Sequence, residues 1–385
     1  MTDADGVEGS RLARLTPRRL NRATLARQLL LRREPLGAAD GVRRVVALQA
    51  QEPASPYLAL WNRLSDFDPA DLDTAFVTAA VVKATLMRVT LHAVHADDHP
   101  SFATAMQPTL RGARLTDRRF TSHGLTAADA DAAVPRLLQL TTSPRTAAEC
   151  QQVFGKPLWW ALRTHAPLRH APTGGPWSFG PRPSYVAARP SPAATDPHLD
   201  VDESAQTLIR RYLEGFGPAS AEDVAQFVLF PSSRTRARAL LQSMARSLQQ
   251  FQGPDDETPF DVPGAPLPAE DTHAPPRLMA MWDSTLLAYA DRSRVIPPAY
   301  RPLVIRRNGD VLPTLHVDGY VAGVWRSSVD GIEATAFHPL SQPAWAGLAA
   351  EARLLSSVLA TREPTVYRRY HHWWATLPHA EVRVL

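Results

Sequence analysis

Apolar positions in the first hundred residues recur at helical spacing and then at strand spacing. In LNRATLARQLLLRR (20–33), Leu20, Leu25, Leu29 and Leu30 fall near one helical face. Gly37 reads as the end of that helix. AADGVRRVVALQAQ (38–51) predicts a second helix carrying Val42, Val45, Val46 and Ala47. Pro53 and Pro56 would stop it, because a residue before proline is pushed out of the α region. Asp68-Pro69 reads as an N-cap followed by proline at the first helical position, opening a third helix through Leu72 and Phe76. TLMRVTLHAVH (85–95) is alternating and β-branched, which predicts a strand or hairpin. Three helices and a β-ribbon, in that order, spell a winged helix.

The same order recurs twice. Thr126-x-x-Asp129 and Thr146-x-x-Glu149 have the form of helix starts, the second a capping box, and Trp159 and Trp160 follow on a third helical piece. LRHAPTGGPWSFGPRPSYVA then predicts two strands around a wing at Thr173-Gly174-Gly175. Near Asp202 a third unit begins. Ser220-x-x-Asp223 follows a Gly-Pro stop, SSRTRARALLQSMARSL supplies the recognition-type helix, and LQQFQGPDDETPFDV reads as strand, wing and strand. Pro-rich stretches at 188–200 and 263–277 read as linkers. Beyond them come short strands, with hairpin dipeptides at Asn308-Gly309 and Asp318-Gly319 and a helix over Pro343–Leu359. The expected fold is α+β and predominantly helical, with three tandem winged-helix units and a small C-terminal β-barrel. The boundaries are a disordered lead at 1–14, units at 15–100, 101–190 and 200–262, and the barrel with its packed helix at 275–385.

Composition narrows the chemistry. The 385 residues include one cysteine, Cys150, so no internal disulfide and no cysteine-built zinc or iron–sulfur site is expected. No metal or other cofactor is expected. Of 42 basic residues only Lys83 and Lys156 are lysines, which leaves two amines for Schiff-base mechanisms. No stretch reaches the length of a membrane span. MTDADGVEGSR lacks the apolar centre of a signal peptide, so a cytoplasmic, nucleoid-associated protein is expected. The net charge of +4 is modest. The arginines are clustered at 18–27, 111–119, 234–238 and 292–307, as in a protein that tracks phosphates. Solvated helix faces would look similar.

There is no G-x-x-x-x-G-K-S/T, no G-x-G-x-x-G, no H-E-x-x-H and no G-x-S-x-G. His371-His372 is adjacent rather than face-sharing, so a packing role is read for it. The informative segment is VVALQAQEPASPYLALWNRL (45–64). Gln49 and Gln51 are two amides in an apolar helix end. On a helix they would point roughly 200° apart; on an extended chain they would share a face. They could equally cap backbone groups or bond across a core.

LQAQEPASPYLALWNRL together with TLMRVTLH resembles the winged-helix DNA glycosylases of the AlkZ and YcaQ type. RTHAPLRHAPTGGPWSFGPRPSYV, GFGPASAEDVAQF, LLAYADRSRVIP and NGDVLPTLHVDGYVAGVWR extend the resemblance over nearly the whole chain. Two departures are Val89, where the family's M-R-G-T-L-H has glycine, and Phe227, where it has tryptophan. The resemblance implies a C-shaped body around duplex DNA and removal of alkylated purines, including bulky or cross-linked natural-product adducts. It also implies Gln49 and Gln51 as the catalytic pair. Neither lysine lies in the Q-x-Q segment, which favours water as nucleophile and a monofunctional glycosylase acting as a monomer. Glu52 could place negative charge near the sugar, or be a solvated carboxylate. Arg88, His92, Trp177 and the hairpin tip Arg306-Arg307-Asn308 are candidate DNA contacts. The rival expectations are a non-catalytic winged-helix regulator and a drug-sequestering protein, for both of which the glutamines would be dispensable.

Overall fold

A computed structural model describes residues 12–188, 200–255 and 257–385. Most of the expected lead and most of the 188–200 linker lie outside the described residues. Within the lead, Arg14 is not loose: it bridges to Gln252, and Leu15 N donates to Gln252 O at 2.8 Å.

Helix α1 (Pro17–Arg27) starts where a Thr16 side chain accepts from Arg19 N and Pro17 takes the first position. Helix α2 (Ala38–Arg44) stops seven residues before Gln51. Val46 turns the chain at φ 75°, and Leu48–Gln49 become strand β1. Pro53 and Pro56 therefore do not end a helix. Pro56 instead sits in the first turn of α3 (Ser55–Trp61), where its missing N–H costs nothing. Helix α4 (Pro69–Val77) is capped by Asp68 as expected. Strands β2 (Val81–Thr85) and β3 (Leu91–His95) form the predicted hairpin. Its tip holds Arg88 and Val89 at φ 55° and 58°, a conformation glycine adopts freely and valine does not.

Helix α5 (His99–Leu115) has no counterpart in the sequence reading. Helices α6 (Arg118–Thr121) and α7 (Ala127–Leu140) follow, and Thr126 and Asp129 close a full capping box on α7. Strand β4 (Arg145–Thr146) leads to α8 (Ala147–Phe154), boxed by Thr146 and Glu149, and to α9 (Lys156–His165). Strands β5 (Leu168–Ala171) and β6 (Ser184–Ala187) form the second expected ribbon. The two ribbons are not separate. They join in one six-stranded sheet, ordered β1-β3-β2-β5-β6-β4, through the pairing of Lys83 with His170.

Helices α10 (Val201–Phe216), α11 (Ala221–Val228) and α12 (Ser233–Ser243) precede two short paired strands, β7 (Gln249–Gln250) and β8 (Phe260–Asp261). The remainder is strand β9 (Arg277–Leu278), helix α13 (Arg301–Val304), strands β10 (Thr314–Val317), β11 (Tyr320–Ser328) and β12 (Gly331–Ala336), helix α14 (Gln342–Arg362) and strand β13 (Glu381–Val384). The expected barrel is an open sheet ordered β13-β12-β11-β10-β9, whose two end strands do not pair. Closure fails because residues 279–300, expected as strands, spend their backbone groups in tight 3-10 turns. Asp283 and Asp291 cap two of these turns, accepting from Thr285 N and Ser293 N. The architecture is thus a mixed helix-and-sheet fold.

Cores cross the expected boundaries. One runs from α2, α3 and α4 into the C-terminal sheet and α14. Another joins the β2–β3 hairpin and α5 to α10, α11 and α12. A buried ion pair reinforces the first junction, Arg63 reaching Asp283 at 2.8 Å, and another ties α1 to β8, Arg27 reaching Asp261 at 2.6 Å.

Candidate active site

Strand β1 lies antiparallel to β3 with Gln49 opposite His92. Directly opposed side chains in such a pair project to the same face. Gln49 is 5% exposed and His92 1%. The hairpin tip sends Arg88 between them. Its Nη2 donates to Gln49 Oε1 at 3.2 Å and to His92 Nε2 at 3.2 Å, while Nη1 donates to the Phe227 carbonyl at 3.0 Å. His92 Nδ1–H donates to the Thr90 carbonyl at 3.0 Å, which leaves Nε2 as the acceptor the guanidinium needs. Burial and the Arg88 charge push His92 down to about 3, and burial pushes Arg88 down to about 10. The two expected DNA contacts Arg88 and His92 are thus found inside the protein, bonded to each other and to the Gln49 amide. Both are committed to fixing the Gln49 amide, with its oxygen toward Arg88. Phe227, where the family has tryptophan, packs under the guanidinium at 5.3 Å.

Two residues on, Gln51 is exposed. The structure therefore does not bring the two amides to one surface. Gln51 opens into a cleft of about 560 Å³, lined also by Glu52, Lys83, Leu91, His170, Tyr185 and Arg369. Glu52 is no solvated carboxylate: it pairs with Arg369 and accepts from Tyr370 Oη at 3.0 Å. Trp177 is 3% exposed in the cleft wall, its ring 5.1 Å from that of Tyr57 and its Nε1 donating to Glu363 at 2.5 Å. The expected DNA contact Trp177 is thus largely packed against its neighbours in the cleft wall. Asp73 braces the same wall, accepting from Tyr57, Ser178 and Arg362.

The hairpin at 305–311 forms as expected. Arg306 N donates to Asp310 O at 2.8 Å, and the Asn308 side chain both donates to Asp310 Oδ2 and accepts from Asp310 N. Arg307 and Asn308 are exposed, and the Arg306 guanidinium sits 4.3 Å from the Trp373 ring centroid. Trp373 belongs to the 3-10 segment Arg368–Thr376, whose first residues line the cleft. The hairpin tip thus touches the same segment of chain that lines the cleft.

Many of the clustered arginines are spent within the protein. Arg22 and Arg27 are buried and bonded to Asp318 and Asp261. Arg111 pairs with Asp131, Arg119 with Asp117, Arg236 with Asp202 and Arg238 with Glu222. Sequence reasoning missed the cleft positions of Lys83 and His170. The available signal was a lysine in the apolar strand VVKAT. Among the described residues, no group of histidine, cysteine or carboxylate side chains could hold a metal ion, and no helix is long and apolar enough to cross a membrane.

Three buried imidazoles and the half-buried His170 are kept neutral mainly by desolvation, His92 and His170 at about 3 and His99 and His316 at about 4. An unfolded histidine titrates near 6.5. Below that pH the unfolded chain binds more protons than the folded one, so stability falls as pH drops from about 6.5 toward 4. Urea midpoints at about pH 7.5, 6 and 5 should decrease in that order; a flat series would contradict neutral, buried imidazoles.

A family model described as "DNA glycosylase AlkZ-like" matches residues 42–358. Among solved structures, the Streptomyces sahachiroi DNA glycosylase AlkZ superposes with a TM-score of 0.76 at 20% identity, covering 91% of this chain and 98% of that one. No curated protein matches the chain in sequence. At 20% identity the structural likeness speaks to the fold, and the family match carries the activity.

Proposed function

The chain belongs to the AlkZ-like DNA glycosylase family, and from that premise we propose that it hydrolyses the N-glycosidic bond of N7-alkylguanine in duplex DNA and leaves an abasic site. The observation that supports this substrate is the chemistry gathered around Gln49. The side chains there are the Gln49 amide, a guanidinium and an imidazole pushed to about 3, with the Gln51 amide two residues on in the cleft. At neutral pH that imidazole has no proton to give. Normal purines need protonation to leave, whereas a guanine alkylated at N7 is already cationic and departs as a neutral base. The transition state is an oxocarbenium-like sugar. Such a site has to place water at C1′ and aim dipoles at developing charge, and amides suffice for both. In this reading Gln51, open to the cleft, contacts the water or sugar, and Gln49 supplies a fixed dipole behind it.

Three winged-helix units in a C-shaped arrangement hold the duplex, the protein acts as a monomer, and the setting is repair of, or self-resistance to, a genotoxic alkylating natural product. Bulky adducts fit a site that reaches the sugar from an open cleft. The test is a duplex carrying one N7-methylguanine, incubated with the protein and treated with alkali. Strand cleavage at the lesion, with unmodified guanine untouched, supports the proposal; cleavage at the spontaneous rate overturns it.

Arg306 and Arg307 then act as the groove probe. Replacing both with alanine should weaken duplex binding and reduce the slope of log affinity against log salt by about 1–2. An unchanged slope in a fluorescence anisotropy titration would remove the tip from the interface.

A further inference from the structure

We propose that Lys83 gives this cleft a second activity: it attacks C1′ of the abasic site through a Schiff base and so cuts the strand. This rests on the cleft being the glycosylase site. Composition alone argued against an amine mechanism, because neither lysine lies near Gln49 and Gln51 in sequence. The fold changes that relation. Lys83 sits on β2, opposite Ala93 on β3 and His170 on β5, and lines the same cleft as Gln51.

The environment of this lysine is unusual. It is 4% exposed, and its Nζ lies 4.2 Å from the Phe179 ring centroid. Among the described residues, no carboxylate is paired with it. Glu52, which lines the same cleft, is occupied by Arg369 and Tyr370, and neighbouring His170 is neutral. Burying a lysine without a counter-ion disfavours its charged form, and desolvation lowers Lys83 to about 8. Near physiological pH a substantial share is therefore the free amine, the nucleophilic form. A purely structural lysine would more often be paired or would extend its ammonium to water.

The chemistry balances without any added reagent. The ring-opened abasic sugar carries an aldehyde at C1′. The unprotonated Nζ bonds to that carbon; one proton from Nζ and one from a cleft water let the carbonyl oxygen depart as water, leaving an iminium and a hydroxide. That hydroxide then takes the C2′ proton. The C–H electron pair becomes the C2′=C3′ double bond, and the C3′–O bond breaks with its pair on the 3′-phosphate oxygen. Hydrolysis of the iminium frees Lys83.

The experiment uses the full chain and a duplex whose single deoxyuridine has been converted beforehand to an abasic site. Incubation with borohydride should reduce the Schiff base to a covalent protein–DNA adduct, and peptide mapping should place it on Lys83. Lys83→Met should lower adduct yield by about tenfold or more, and Lys156→Met should leave it in place. Absence of an adduct with the unmodified protein, or an adduct mapped to another amine, overturns the proposal. Mapping on the unmodified chain decides the matter even where Lys83→Met does not fold. Because the probe already lacks its base, this outcome is independent of whether N7-methylguanine is released.

Discussion

Asp283→Ala should cost about 3–5 kcal/mol of folding stability, because it leaves a buried guanidinium without its counter-ion. Asp283 and Arg63 are both fully buried, joined by two hydrogen bonds of 2.8 and 2.9 Å. Asp283 also caps its own 3-10 turn through Thr285. Burial alone would raise this carboxyl, yet Arg63 and Thr285 together hold it below its ordinary range, so the charged form is the native one. The pair locks the end of α3 to the C-terminal unit. Urea denaturation followed by tryptophan fluorescence measures the loss, and a change below about 1 kcal/mol would contradict a load of this kind. Replacing both partners with leucine should recover much of it, since the pair as a whole gains little over apolar packing.

The largest effect on activity is expected at the two glutamines. Gln49→Ala and Gln51→Ala should each lower the single-turnover rate of base removal by about 10²–10³-fold, the range for losing one preorganised dipole. Arg88 acts through Gln49, so it is a positioning residue. Arg88→Met should resemble Gln49→Ala, and the double variant should lose little more than either alone. Full additivity of the two losses would separate Arg88 from Gln49. Gln51 makes no hydrogen bond to that group, so Gln51→Ala should add to Gln49→Ala more nearly in full.

What was legible in the sequence was local. Thr126 with Asp129, Thr146 with Glu149 and Ser220 with Asp223 each form the reciprocal bonds of a capping box, and these need only three intervening peptide units. The Asp318-Gly319 turn and α14 were legible for the same reason. The segment around Gln49 was not. Val45–Gln51 has a plausible helical pattern, but pairing with Leu91–Ala93 forty residues on draws Leu48–Gln49 into a strand. That pairing decides where both glutamines point. The merger of two ribbons through Lys83 and His170, and with it the cleft, is equally non-local. Arginine clusters were over-read as phosphate contacts because spacing along the chain cannot show that Arg27 meets Asp261. The burial of Trp177 was illegible for the same reason: it depends on Tyr57 and Glu363, more than a hundred residues away on either side.

The cores that run across the expected unit boundaries have a mechanical consequence. Among the described residues, α2–α4 share one interior with the C-terminal sheet and α5 shares another with α10–α12, so moving these elements apart would expose apolar surface. Conformational adjustment on binding then falls on the duplex, and smooth bending of a 20–30 base-pair site costs on the order of 1–6 kcal/mol. A lesion that loosens stacking lowers that cost before any side chain touches the altered base. Stiffness in the protein thus becomes a means of sensing softness in DNA, and substitutions that loosen the shared cores should blunt discrimination before they abolish binding.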